Sequence, residues 1–155
     1  MSSNDLNFEV DQSIRIMKPA TVIFDAITKP EHLIRYFTAR AEGKLEAGKT
    51  VHWAWSGKPD QIPVEVVECV APTRLVFKWP THDKMYLTTV QFDLEDQQEK
   101  GTLVRVREGK FKSDQAGFKN THANTGGWMQ MLCNLKAYLE LNVDLRSNPL
   151  PQNWK

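Results

Sequence analysis

One stretch near the C-terminus does most to constrain how this chain can fold. From Asn120 to Asp144 the apolar residues Trp128, Leu132, Leu135 and Leu139 recur at offsets of four, seven and eleven, with Met131 and Tyr138 at their flanks. That spacing is the stripe of one helical face. At about 1.5 Å per residue such a helix runs about 37 Å, enough to cross a small sheet from edge to edge. Asn120, Thr121, Asn124 and Thr125 offer N-caps, Arg146 puts a cation near the C-terminal end of the dipole, and Pro149 and Pro151 forbid continuation. The rest of the chain must supply a surface for this helix to lie on.

The preceding residues read as that surface. Leu6, Phe8, Val10, Ile14 and Ile16 alternate with polar residues, the pattern of a half-buried strand over Leu6 to Ile16. Two short helices follow. Pro19 fits the first turn of one, with Val22, Ile23, Ala26 and Ile27 as its stripe; Pro30 opens the other, with Leu33, Ile34 and Phe37 as its apolar side. Lys29, lying before Pro30, is driven to extended backbone and separates them.

From Thr38 onward, strand patterns alternate with turn signals. The expected strands are Thr38 to Leu45, Thr50 to Ser56, Ile62 to Val70, Arg74 to Trp79, Lys84 to Leu94 and Thr102 to Lys110. Phe111 to Lys119 reads as a connection, with a turn around Ala116, into the long helix. Short connections make the strands antiparallel, and about seven of them with the helices on one face describe an α+β fold.

Length and composition fit one domain over residues 1–155, with a core of about 6–146 and a tail of 147–155. The chain is 41% apolar and 25% charged with a net charge of +1, which gives no electrostatic reason to invoke nucleic acid or an anionic membrane. No apolar run approaches the roughly 20 residues needed to span a bilayer. Residues 1–11 lack the basic start and apolar core of a signal peptide. Cys69 and Cys133 could in principle pair, but nothing in the sequence suggests a secreted disulfide framework. A reduced, cytoplasmic protein is the expectation. It could be a monomer, or a homodimer built on an exposed edge strand such as Thr38 to Leu45.

Three stretches resemble a known family: Pro19 to Ala26 with Thr28 to Leu33, then Pro72 to Trp79, then Gly127-Trp128 with Leu132, Leu135 and Tyr138-Leu139-Glu140. They are similar to the helix-grip fold of the START-like, or SRPBCC, superfamily, and within it to the AHSA-type branch named after activators of the heat-shock chaperone ATPase. The resemblance implies a curved antiparallel sheet wrapped around the C-terminal helix, with a cavity between them. Two positions depart from it. Tyr36 stands where many relatives carry Trp, and Glu108 stands where relatives often carry His at the end of the last strand. The fold hosts carriers, cyclases and chaperone partners, so it leaves function open.

Side chains on converging faces could line the implied cavity: Trp53, Trp55, Phe77, Trp79, Tyr86, Phe92 and Trp128, with Met131 as adaptable packing. Apolar walls with few polar groups suit a small hydrophobic ligand. The plainer reading is that these residues simply fill the core. Glu108 shares the parity of Val104 and Val106, so a regular strand aims it inward, where a carboxylate could act as an acid or base on a ligand; a bulge at the strand end would turn it outward instead. His122, at the entrance of the long helix, is the second weak catalytic candidate, against the plainer reading of a solvated helix-start residue. His52 has the opposite parity to Trp53 and Trp55 and is expected to point out. The histidines and cysteines lack metal-ligand spacing, no nucleophile elbow or phosphate loop is present, and no cofactor is implied.

Three functions fit. The leading one is a binding protein for a small lipid-like or aromatic molecule. The alternative is a partner that stimulates a heat-shock chaperone's ATPase. The third is a cyclase or hydratase using Glu108 or His122.

Overall fold

The computed structural model describes residues 7–146. Leu6, Pro149 and Pro151, and the tail of 147–155, lie outside the described residues. In chain order the elements are β1 (Phe8–Ile16), α1 (Ala20–Thr28), α2 (Pro30–Tyr36), β2 (Arg40–Ala41), β3 (Thr50–Ala54), β4 (Ile62–Val70), β5 (Arg74–Pro80), β6 (Leu87–Asp96), β7 (Thr102–Phe111) and α3 (Gln115–Leu141). A short 3₁₀ turn, Gln98–Lys100, sits in the β6–β7 hairpin. The fold is α+β. The strands form one antiparallel sheet in the order β1-β7-β6-β5-β4-β3-β2, so only β1, joined to β7, departs from a simple meander. The ladder shifts register between Phe8 and Val10 and again between Val66 and Glu68, and such bulges bend the sheet.

The concave face carries the predicted alternation. Val104, Val106 and Glu108 on β7 are wholly buried, as are Val90 on β6 and Phe77 on β5. α3 lies along β1: Phe118 packs edge-on against Phe8 near one end, and Lys136 Nζ donates to Arg15 O at 2.7 Å near the other. Leu132 and Leu135 sit fully buried beneath it, each burial worth roughly 1.5–3 kcal/mol.

Several local readings need correction. α3 starts at Gln115, not Asn120, because the Asp114 side chain accepts from Gly117 N at 2.7 Å and caps the helix there. Thr121 and Thr125 are therefore interior, and their hydroxyls donate back to Gly117 O and Thr121 O, each at 2.7 Å. The helix ends at Asn142, whose φ of 54° is left-handed. Arg146 does not cap α3. Its guanidinium reaches across to Ile34 O (3.0 Å) and Thr38 O (3.2 Å) at the end of α2, while pairing with Asp144. Pro19 is the residue before α1 rather than in its first turn, and Val22 and Ile34 face solvent where Phe24 and Tyr36 are buried. The second strand shrinks to Arg40–Ala41, with Leu45 buried in the loop after it. Lys29 is extended as expected (φ −96°, ψ 132°). No helix among the described residues is long and apolar enough to cross a membrane.

Candidate functional site

Glu108 is wholly buried on β7, the strand next to the sheet's β1 edge, paired with Val10 of β1 and Val90 of β6. No cation faces it. Its carboxyl oxygens instead receive four neutral donors. Trp79 Nε1 (2.7 Å) and Thr88 Oγ1 (2.9 Å) donate to Oε2, while Asn124 Nδ2 (2.7 Å) and Trp128 Nε1 (3.0 Å) donate to Oε1. A carboxylate offers about four lone-pair sites, so its accepting capacity is filled. The four donors come from three elements: Trp79 from β5, Thr88 from β6, and Asn124 and Trp128 from successive turns of α3. Glu108 thereby joins the sheet to the helix and fixes the orientation of two indole rings.

Those rings belong to a continuous aromatic packing. Trp79 meets Trp128 at 5.3 Å between centroids, Trp128 meets Phe92 at 5.6 Å, and Trp53 meets Phe77 at 5.5 Å, with Phe37 wedged against Trp55 at 5.3 Å. Trp53, Phe77, Phe92, Trp128 and Met131 are all buried. The space directly under the helix is therefore filled by side chains, and the open volume lies at its mouth.

That opening is a cleft of about 430 Å³. Trp55 and Trp79, both half-buried, give it an apolar floor with Pro59, Ile62 and Pro80. Its polar groups are Lys58 and Asp60 from the β3–β4 loop, Thr81, His82 and Lys84 from the β5–β6 loop, and Asn124 from α3. The β5–β6 loop is held by its own bonds: Thr81 N donates to Tyr86 O at 3.0 Å, and Lys84 N to Thr81 O at 2.9 Å. The Asp83 carboxyl is kept below its usual range by the hydrogen bond from Thr81. Two side-chain contacts tie this loop across the cleft, Lys84 Nζ to Asp60 Oδ2 at 2.8 Å and His82 Nε2 to Asn124 Oδ1 at 3.0 Å.

Of the expected lining residues, Trp55 and Trp79 face the cleft. Glu108 and Trp128 stand behind Trp79 and Asn124, while Trp53, Phe77, Phe92 and Met131 back them as packed core. Tyr86 stands apart: it precedes β6, its hydroxyl accepts from Lys112 N at 3.0 Å, and the Lys112 ammonium lies 5.0 Å from its ring centroid. His122 is exposed and stacks on Phe118, away from the cleft. His52 points outward toward Glu42. Sequence reasoning did not single out His82, Lys58 or Ile62 as lining, and it placed Asn124 as a helix cap. Loop residues carry no periodic signal, but Thr88 was legible, since it shares the inward parity of Val90 and Phe92.

Residues 18–140 match the family described as activator of Hsp90 ATPase homolog 1-like protein, and the chain belongs to that family. No curated protein matches it in sequence. Among solved structures it is similar to a Staphylococcus saprophyticus protein at 22% identity, covering 89% of this chain and 96% of that one, with a TM-score of 0.76. It is similar to the Aha1 dimer from Colwellia psychrerythraea at 20% identity, covering 86% and 96%, with a TM-score of 0.72. An HSP90 activator from Plasmodium falciparum is 22% identical, covering 85% and 96%, with a TM-score of 0.71. With identities this low, the TM-scores establish a shared fold alone.

Proposed function

We propose that the chain is one START-like domain, residues 1–155, acting in the cytoplasm as a binding protein for a small hydrophobic molecule, lipid-like or aromatic. The observation that carries this reading is the cleft of about 430 Å³ floored by Trp55 and Trp79, within the size range of small-molecule sites. Polar groups at its edge would orient a ligand, and the rings beneath would supply most of the contact. An aromatic probe such as naphthol should quench tryptophan emission saturably. Ile62→Trp, which fills the cleft from its wall, should abolish that quenching; undiminished binding in this variant would sink the proposal.

A second reading rests on family membership: stimulation of the ATPase of a heat-shock chaperone. Here the measurement is the chaperone's hydrolysis rate with and without saturating protein, and an unchanged rate removes the reading. Stimulation that survives Ile62→Trp would separate this role from the cleft. The cyclase or hydratase alternative draws less support, because the oxygens of Glu108 are already engaged by protein donors and His122 lies elsewhere.

A further inference from the structure

The polar groups around the cleft are not free to choose their hydrogen-bonding roles, and this restricts the ligand. Glu108 accepts from Asn124 at 2.7 Å. Carboxyl oxygens already filled by donors leave the amide only one sensible orientation, with its NH₂ group toward Glu108. Asn124 Oδ1 is therefore turned to the cleft side, where His82 Nε2 lies 3.0 Å away. Because Oδ1 can only accept, Nε2 must carry the hydrogen. The inner polar end of the cleft thus presents an acceptor, with a carboxyl group directly behind it. An anionic group that displaced His82 from Oδ1 would face oxygen upon oxygen. A hydroxyl or ring N–H would instead replace His82 on Oδ1, and His82 is exposed and able to swing aside.

The outer rim has the opposite character. The charge of Lys84 is taken up by Asp60 at 2.8 Å, whereas Lys58 has no ion-pair partner among the described residues. One uncompensated ammonium remains, on the β3–β4 loop, whereas the acceptor comes from α3. Trp55 and Trp79, with ring centroids 6.2 Å apart and planes inclined at 62°, form the apolar floor of the same cleft.

We propose that the cleft takes a planar aromatic acid that carries a hydrogen-bond donor apart from its acid group: the donor on Asn124 Oδ1, the ring packed against Trp55 and Trp79, the acid beside Lys58. This rests on the reading of the cleft as a ligand site. In it, Glu108 is a positioning residue, acting on the ligand only through the amide it orients.

The test is a calorimetric titration of the full chain with four matched probes: a hydroxynaphthoate with its two groups at opposite ends, the corresponding methoxynaphthoate, unsubstituted naphthoate and naphthol. The hydroxynaphthoate should bind tightest, and loss of the donor or of the acid should each weaken binding by roughly tenfold. In Lys58→Gln the advantage of hydroxynaphthoate over naphthol should vanish while its advantage over methoxynaphthoate persists. Methoxynaphthoate binding as well as hydroxynaphthoate would overturn the assigned donor. Naphthol binding as well as hydroxynaphthoate would overturn the assigned acid and leave the cleft reading intact. If none of the probes binds, that reading falls with it.

Discussion

Glu108 is the residue on which the interior turns. A period of two places it on the inner face, and the structure bears that out with full burial. The inward parity of Thr88 was legible, but its pairing with Glu108, like that of Trp79, Asn124 and Trp128, was not, because the partners lie 16 to 29 residues away in the chain and meet it only when sheet and helix are assembled. Glu108→Gln replaces one accepting oxygen with an NH₂ group that must face donors such as Trp79 Nε1 or Trp128 Nε1. A loss of about 1–3 kcal/mol in chemical denaturation is expected. Unchanged stability would mean that the donors rearrange without penalty. Tyr36 makes the second residue-scale prediction. Burial pushes its phenol well above the usual range, and neighbouring Tyr138 adds to the effect. Unfolded tyrosine ionises near pH 10, roughly, so the stabilisation is complete below that pH and drains away as pH rises above it. Tyr36→Phe should flatten this alkaline slope. At neutral pH it should cost about 1 kcal/mol through the lost bond to Ala26 O, 3.0 Å in length.

At the scale of elements, α3 is where stripe and cap give different boundaries. Its apolar face was readable from Trp128 to Leu139, but its first turns carry no stripe and are rich in residues that look like caps. The hydroxyls of Thr121 and Thr125 satisfy themselves on carbonyls one turn back, so they no longer signal a start. Asp114 does the capping, and Asp114→Ala should lower stability by about 1 kcal/mol. The helix's glycines should split in sign. A Cβ at Gly117 would lie 1.8 Å from Lys112 O, so Gly117→Ala must displace the helix start and destabilise the protein. At Gly126 and Gly127 nothing lies within 4 Å, and alanine there should raise stability by up to about 1 kcal/mol from propensity. Thermal melts of the three variants would decide this, and equal shifts would count against the geometry at Lys112.

Across the whole molecule, aromatic packing moves the available volume from beneath α3 to the mouth formed by the β3–β4 and β5–β6 loops. A ligand that occupies this cleft only in the folded chain must stabilise it. At a concentration one hundred times its dissociation constant the gain is about 2.7 kcal/mol, seen as a rise of roughly 5–10 °C in Tm. A probe that binds by calorimetry yet leaves Tm unmoved would be binding the unfolded chain equally well.

The amino-acid sequence by itself determined the order of elements, the antiparallel sheet, the long helix and the inward parity of Val104, Val106 and Glu108. Those follow from periodicities and turn residues that act over a few neighbours. Only the tertiary structure decided that Glu108 would be saturated by Trp79, Thr88, Asn124 and Trp128, that Arg146 would serve α2 rather than α3, and that His82 would meet Asn124. Each of these joins groups far apart in the chain, so its geometry exists only once the sheet has curved and the helix has been laid along β1.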